Sequence, residues 1–231
     1  MIICNSNNFV VVRPPKTGST SLVFYFFKSG ILDLNKDVYS VDGPFSTWEE
    51  LETYNKKHGL DYSKLPKPPH GQHQHKNVHC TFDNLRTKGT VQPDMPCVST
   101  IRNPLERVAS MLNYIIRIRL PSDPTLRKES ISPNSFWDYV KEEGHDFYKK
   151  PQCDYFPEHA ELFNTENLHE HVSKYILEKG GKVDERIEMR KNPDNKPDVF
   201  LAGLTPDRKQ SILDTYSKDF ELWEKAYAVY N

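Results

Sequence analysis

Apolar residues fall in short clusters along the chain, and the spacing inside each cluster indicates what it builds. Phe9-Val10-Val11-Val12 is a continuous apolar run, the pattern of a short buried strand. After a turn, Leu22, Val23, Phe26 and Phe27 recur at helical spacing and predict a helix from about Ser19 to Lys28. Cys97-Val98-Ser99-Thr100-Ile101 is a second strand-like run. It leads into Asn103-Pro104-Leu105-Glu106, which reads as a helix start: Asn103 as N-cap, Pro104 at the first helical position and Glu106 closing a capping box. Val108, Met111, Leu112, Ile115 and Ile116 carry that helix to about Arg119. A shorter strand is expected around Lys76 to Phe82, and another at Val199 to Leu201.

Proline-rich stretches separate these clusters. Residues 33–72 read as an excursion with one helix near Thr47 to His58, and residues 120–135 as a surface loop. Helices are expected at Ser135 to Glu143 and Asn167 to Lys179. A final helix starts at Thr205-Pro206 and carries Ile212, Leu213, Tyr216, Phe220 and Trp223. Strands alternating with helices predict an α/β fold, a three-layer sandwich with a central parallel sheet flanked by helices. With 231 residues and no internal repeat, the chain is read as a single domain, 1–231. Trp137, Trp223, Phe156 and Tyr216 are assigned to the core.

Charge changes this picture little. Lys and Arg (31) nearly balance Asp and Glu (32), so no basic field points to nucleic acid. Mean hydropathy is −0.72, and no apolar run approaches the roughly 18 residues that span a membrane. The N-terminal residues lack the basic and apolar regions of a signal peptide. Cys4, Cys80, Cys97 and Cys153 are scattered without a C-x-x-C pair, as free thiols of a cytoplasmic protein would be.

Chemistry concentrates first in Arg13-Pro-Pro-Lys16-Thr17-Gly18-Ser19-Thr20-Ser21, between the first strand and its helix. Backbone N–H groups at a helix start, the helix dipole and a lysine together cradle a phosphate-like anion. The order is not that of a Walker A loop, because Lys16 precedes Gly18 and no glycine stands upstream in the turn. A second anion site is read at Arg102, where a strand ends, with Ser110 further along the capped helix. At 1.5 Å per residue Ser110 stands roughly 9 Å beyond the helix start. Arg13 is either a third anion contact or a structural strand-end arginine. His70, His73, His75 and His79 form a histidine-rich string with no convincing metal-ligand spacing, and His70 and His73 read as a solvated loop.

The stretch PPKTGSTSL resembles the 5′-phosphosulfate loop of sulfotransferases that use 3′-phosphoadenosine 5′-phosphosulfate (PAPS). VSTIRNPLERVASMLNY resembles their 3′-phosphate strand and helix. The likeness is strongest to the carbohydrate branch, including glycosaminoglycan 2-O-sulfotransferases and short bacterial and phage relatives. It continues into Gln152-Cys153-Asp154-Tyr155 and GLTPDRKQSILDTYSKDFELW. The resemblance implies a P-loop-like fold with PAPS as donor, PAP as product and no metal. Lys16 would stabilise the leaving group, and Thr17, Gly18, Ser19, Thr20 and Ser21 would wrap the 5′-phosphate. Arg102 and Ser110 would hold the 3′-phosphate. It also implies a catalytic base some twenty-odd residues before that arginine. His79, 23 residues before Arg102, is the first choice and His75 the second; a carboxylate elsewhere stays open. The expected acceptor is a hydroxyl, on a carbohydrate if the branch likeness holds. Two other readings compete: a P-loop small-molecule kinase, and a non-catalytic binder of phosphonucleotide or glycan. Arg190-Lys191-Asn192 is read as a solvated basic turn.

Overall fold

The computed structural model describes residues 2–4, 7–32, 38–39, 81–87, 91–116, 132–142, 149–183 and 197–228. Among these residues five strands form one sheet: β1 (Ile2–Cys4), β2 (Phe9–Val11), β3 (Val38–Tyr39), β4 (Cys97–Ile101) and β5 (Glu161–Asn164). Their order is β3-β1-β2-β4-β5. The centre is parallel, β2 pairing with β4 (Val10 opposite Cys97) and β4 with β5 (Ile101 opposite Asn164). On the other side β1 runs antiparallel to both β2 and β3. The α/β architecture with a parallel sheet packed against helices is therefore present, extended by an antiparallel edge that the sequence reading did not include.

Strand alternation divides the core into two faces. Phe9, Val11, Val98 and Phe163 pack on one face against α1 (Ser19–Lys28) and α5 (Leu168–Glu178). Val10, Val12, Cys97 and Ile101 pack on the other against α2 (Phe82–Thr87) and α8 (Ser217–Ala228). A third apolar cluster joins α3 (Pro104–Tyr114) to α4 (Pro133–Glu142), α6 (Pro197–Ala202) and α7 (Pro206–Thr215). Trp137 and Tyr216 are buried in it, as the sequence suggests, with rings 5.8 Å apart. Phe156 is buried on the α2/α8 face, and Trp223 packs against that cluster while partly exposed.

Several expectations are corrected. Val199 to Leu201 is helix, not strand: Pro197 opens α6 with Asp198 in its first turn, and Gly203 closes it by donating to Val199 and Phe200 carbonyls. A three-residue apolar run carries no period of its own, so flanking residues decided the outcome. Thr81 and Phe82, placed at the end of a strand, instead start α2, where Thr81 Oγ1 accepts from Asn84 N at 3.2 Å. The rest of that expected strand, from Lys76, lies outside the described residues. So do the helix at 47–58, the loop at 33–72 apart from Val38–Tyr39, residues 120–131 and Arg190-Lys191-Asn192. The final helix is two helices, broken at Tyr216 (φ −117°, ψ 29°). Strands β1, β3 and β5 have no counterpart among the predicted strands.

Candidate anion-binding site

Parallel strands place their C-terminal ends on one edge, and there β2, β4 and β5 deliver three segments: residues 13–20, Arg102-Asn103 and Thr165-Glu166. Segment 13–20 is tightly determined. Thr17, fully buried, donates from Oγ1 to Pro14 O at 2.8 Å and lies 2.8 Å from Thr100 Oγ1 on the neighbouring strand. Its hydroxyl belongs to the loop's interior, which leaves its N–H as the group for an anion. Arg13, 3% exposed, donates to Thr20 Oγ1 at 3.0 Å, bracing the loop across its mouth.

Lys16 has φ 64° and Gly18 φ 74°, so the chain turns twice through the left-handed region within three residues. Gly18 is required twice over: beyond its φ, a Cβ there would stand 2.8 Å from Thr165 Cγ2. The first intrahelical bonds of α1 run from Ser21 N (2.9 Å) and Leu22 N (3.3 Å) to Gly18 O. The N–H groups before Ser21 therefore have no upstream helical carbonyl and sit at the positive end of the helix dipole. Ser19 is buried, Ser21 half-buried and Thr20 exposed. This is the local geometry of an anion cradle, built from the order K-T-G-S-T-S.

Arg102 follows β4. Gln152, fully buried, clamps its backbone, accepting from Arg102 N and donating to Arg102 O, both at 2.9 Å. The Arg102 guanidinium meets Glu106 Oε2 at 3.4 Å, while its buried Nε has no hydrogen-bond partner among the described residues. Asn103 caps α3 as expected, its Oδ1 accepting from Leu105 N at 3.0 Å, with Pro104 first in the helix. The reciprocal half of the capping box is absent. Glu106 turns to Arg102, and Asn103 N instead donates to Glu166 Oε1 at 3.4 Å. Glu166 also accepts from Trp223 Nε1 at 3.1 Å.

Helix α3 ties the two candidate anion segments together. Arg107, fully buried, donates from Nε to Pro15 O at 3.1 Å and from Nη2 to Lys150 O at 3.0 Å. Its Nη1 lies 3.9 Å from Asp219 Oδ2 on α8, and its guanidinium stands 5.5 Å from the Tyr216 ring. Asp219 in turn accepts from Gln152 N at 2.7 Å and Cys153 N at 2.8 Å. Lys16 Nζ lies 4.5 Å above the centroid of Tyr114. Arg107, Ser110 and Tyr114 stand at i, i+3 and i+7, one stripe of the helix, and two of the three touch the loop.

Comparisons with protein-family models, curated proteins and solved structures found no match. The site is therefore read from its own geometry and from the motif likeness described above. Of the residues singled out in the sequence, Arg13, Lys16, Thr17, Gly18, Ser19, Thr20, Ser21 and Arg102 lie on this edge, and Ser110 lies further along α3, between Arg107 and Tyr114. His70, His73, His75 and His79 lie outside the described residues. Sequence reasoning missed Arg107, Gln152, Asp219, Thr165 and Glu166 as parts of the site. Arg107 carries a signal of its own, an arginine among the apolar positions of α3 where a charge requires a buried partner, and Gln152 and Asp219 fall within the further stretches of likeness.

Among the described residues, cysteine chemistry is quiet. Cys4, Cys97 and Cys153 are free thiols. Burial pushes Cys97 up to about 12, and burial together with the neighbouring Asp219 carboxylate pushes Cys153 up to about 12. Neither is poised as a nucleophile. Among the described residues no helix is long and apolar enough to cross a membrane.

Proposed function

We propose that this protein is a PAPS-dependent sulfotransferase acting on an acceptor hydroxyl, with a carbohydrate as the first acceptor class to test. One observation carries the reading. The loop holding Lys16 and the strand–helix junction holding Arg102 end on adjacent parallel strands and are joined by Arg107 and Tyr114 of a single helix. A donor with anionic groups at both ends of a nucleoside matches two such segments. The buried Nε of Arg102 is a donor suited to a phosphate oxygen.

In this reading the N–H groups of Thr17, Gly18 and Ser19 and the start of α1 hold the 5′ end, with Thr20, Ser21 and Arg13 at the loop's rim. Arg102 and Ser110 hold the 3′-phosphate. PAPS supplies an activated sulfuryl group. Lys16 places a positive charge where negative charge grows on the departing oxygen, and the preorganised N–H groups add to that potential. The proton of the acceptor hydroxyl goes to His79, with His75 as the alternative base; both assignments rest on the sulfotransferase likeness. Lysine and loop N–H groups supply the positive potential, so the reading assigns no role to a metal. The free thiols suit a reducing compartment, and the cytoplasm is the proposed location.

The test is transfer of labelled sulfate from PAPS to a panel of hydroxyl acceptors, with and without EDTA. Turnover unchanged by EDTA supports the reading. Phosphate transfer from ATP that EDTA abolishes replaces it with a kinase, and tight PAP binding without turnover on any acceptor replaces it with a binding protein. Lys16→Ala is expected to abolish turnover. His79→Ala should slow it strongly while PAP affinity, measured by calorimetry, stays near wild type; the same pattern from His75→Ala alone moves the base to His75.

A further inference from the structure

Lys16 is held by its surroundings in more than one way. Its φ of 64° fixes an unusual exit direction for the side chain. The backbone on its N-terminal side is pinned, Pro14 O by the Thr17 hydroxyl and Pro15 O by the Arg107 guanidinium. The four-carbon stem adds rotamers that the backbone alone does not fix. That freedom is reduced at Tyr114, whose ring centroid lies 4.5 Å from Nζ. Both residues are half-buried, so the pair is partly shielded from water.

We propose that Tyr114 is the positioning residue of Lys16: the face of its ring holds the ammonium beside the anion loop. The proposal rests on the role given above to Lys16 for its kinetic consequence, but not for its structural content. Attraction to a ring face uses the π-electrons and not the hydroxyl, so phenylalanine should serve equally well. Tyr114 also occupies the stripe of α3 that carries Arg107 and Ser110. The helix that supplies Ser110 to the 3′ end of the site thus also aims the lysine at its 5′ end. A lysine held this way reaches its working position with fewer rotamers to lose.

The experiment measures acylation of Lys16 by an amine-reactive ester in the full chain, read by peptide mass spectrometry, with exposed Lys28 as internal standard. In Tyr114→Leu, Lys16 should react about three- to ten-fold faster than in wild type, with Lys28 unchanged. Tyr114→Phe should restore the wild-type rate. If Tyr114→Leu fails to fold by thermal melting, Tyr114→Met, which keeps bulk without a ring, takes its place. In the sulfate-transfer assay the ring-less variant should lose a similar factor, chiefly in kcat, and the phenylalanine variant should not. Wild-type Lys16 reactivity in the ring-less variant overturns the proposal, and so does equal loss in Tyr114→Phe. The expected acylation pattern in a protein that transfers no sulfate sustains the positioning role while removing the sulfotransferase reading.

Discussion

At Lys16 a bulky L-residue occupies a conformation that costs roughly 1–2 kcal/mol, which persists only where neighbours over-determine it. At this position the usual stability order of alanine and glycine reverses. Lys16→Ala and Lys16→Gly both delete the ammonium, yet the glycine variant should be the more stable, by about 1 kcal/mol in urea unfolding. At an ordinary position alanine would win. Two positions on, Gly18→Ala meets both a φ of 74° and the Thr165 methyl at 2.8 Å. It should lose about 1–3 kcal/mol and loosen anion binding as the loop moves away from β5. Wild-type stability there would mean that the loop and Thr165 are not in contact. At this scale the sequence was informative for donors and silent on support. Lys16, Gly18 and Arg102 announce themselves by residue type and order. Thr165 touches the loop only because two distant strands end side by side.

The start of α3 shows how a local signal can be half right. Asn103-Pro104 specified the helix start, since an asparagine side chain and a proline at the first position need only local geometry. Glu106 was assigned to the same cap, but the arginine at i−4 draws it away. Asn103→Ala should therefore cost about 1 kcal/mol of stability, and Asn103→Ser should recover most of it, by denaturant titration. Where apolar spacing was long and periodic, as in α1, the helix was legible nearly to the residue. Where a run was three or four residues long, identity was set from outside. Glu161–Asn164 is a strand because β4 offers it a paired edge, and 199–201 is helix because Pro197 and Gly203 bound it. Neither fact is present in the short run itself.

Across the whole molecule, Asp219 is the point through which distant parts of the chain meet. It pairs with Arg107, accepts from Gln152 and Cys153, and through them braces both Pro15 and Arg102. Removing it leaves a buried guanidinium without its counter-charge, and Asp219→Ala should cost about 3–5 kcal/mol, seen as a lowered denaturation midpoint. Alkali should also weaken the fold. An ordinary thiol ionises near 9.0, whereas Cys97 and Cys153 are pushed up to about 12 in the folded state. Below pH 9 neither state loses these protons. Between about 9 and 12 the unfolded chain releases them first, so stability should fall with rising pH, as urea titrations across that range would show. Replacing both cysteines with alanine should flatten that slope.

Asp219 also sets an order of events in time. The loop at residues 13–20 is made long before Asp219 of α8, the counter-charge of its anchor Arg107. A ribosome would release the loop, the α1 helix and most of the sheet before that carboxylate exists outside the exit tunnel. During that interval the growing chain carries a cation destined for burial with nothing yet to neutralise it. Emergence of α8, rather than of the loop itself, decides when the loop acquires its final shape.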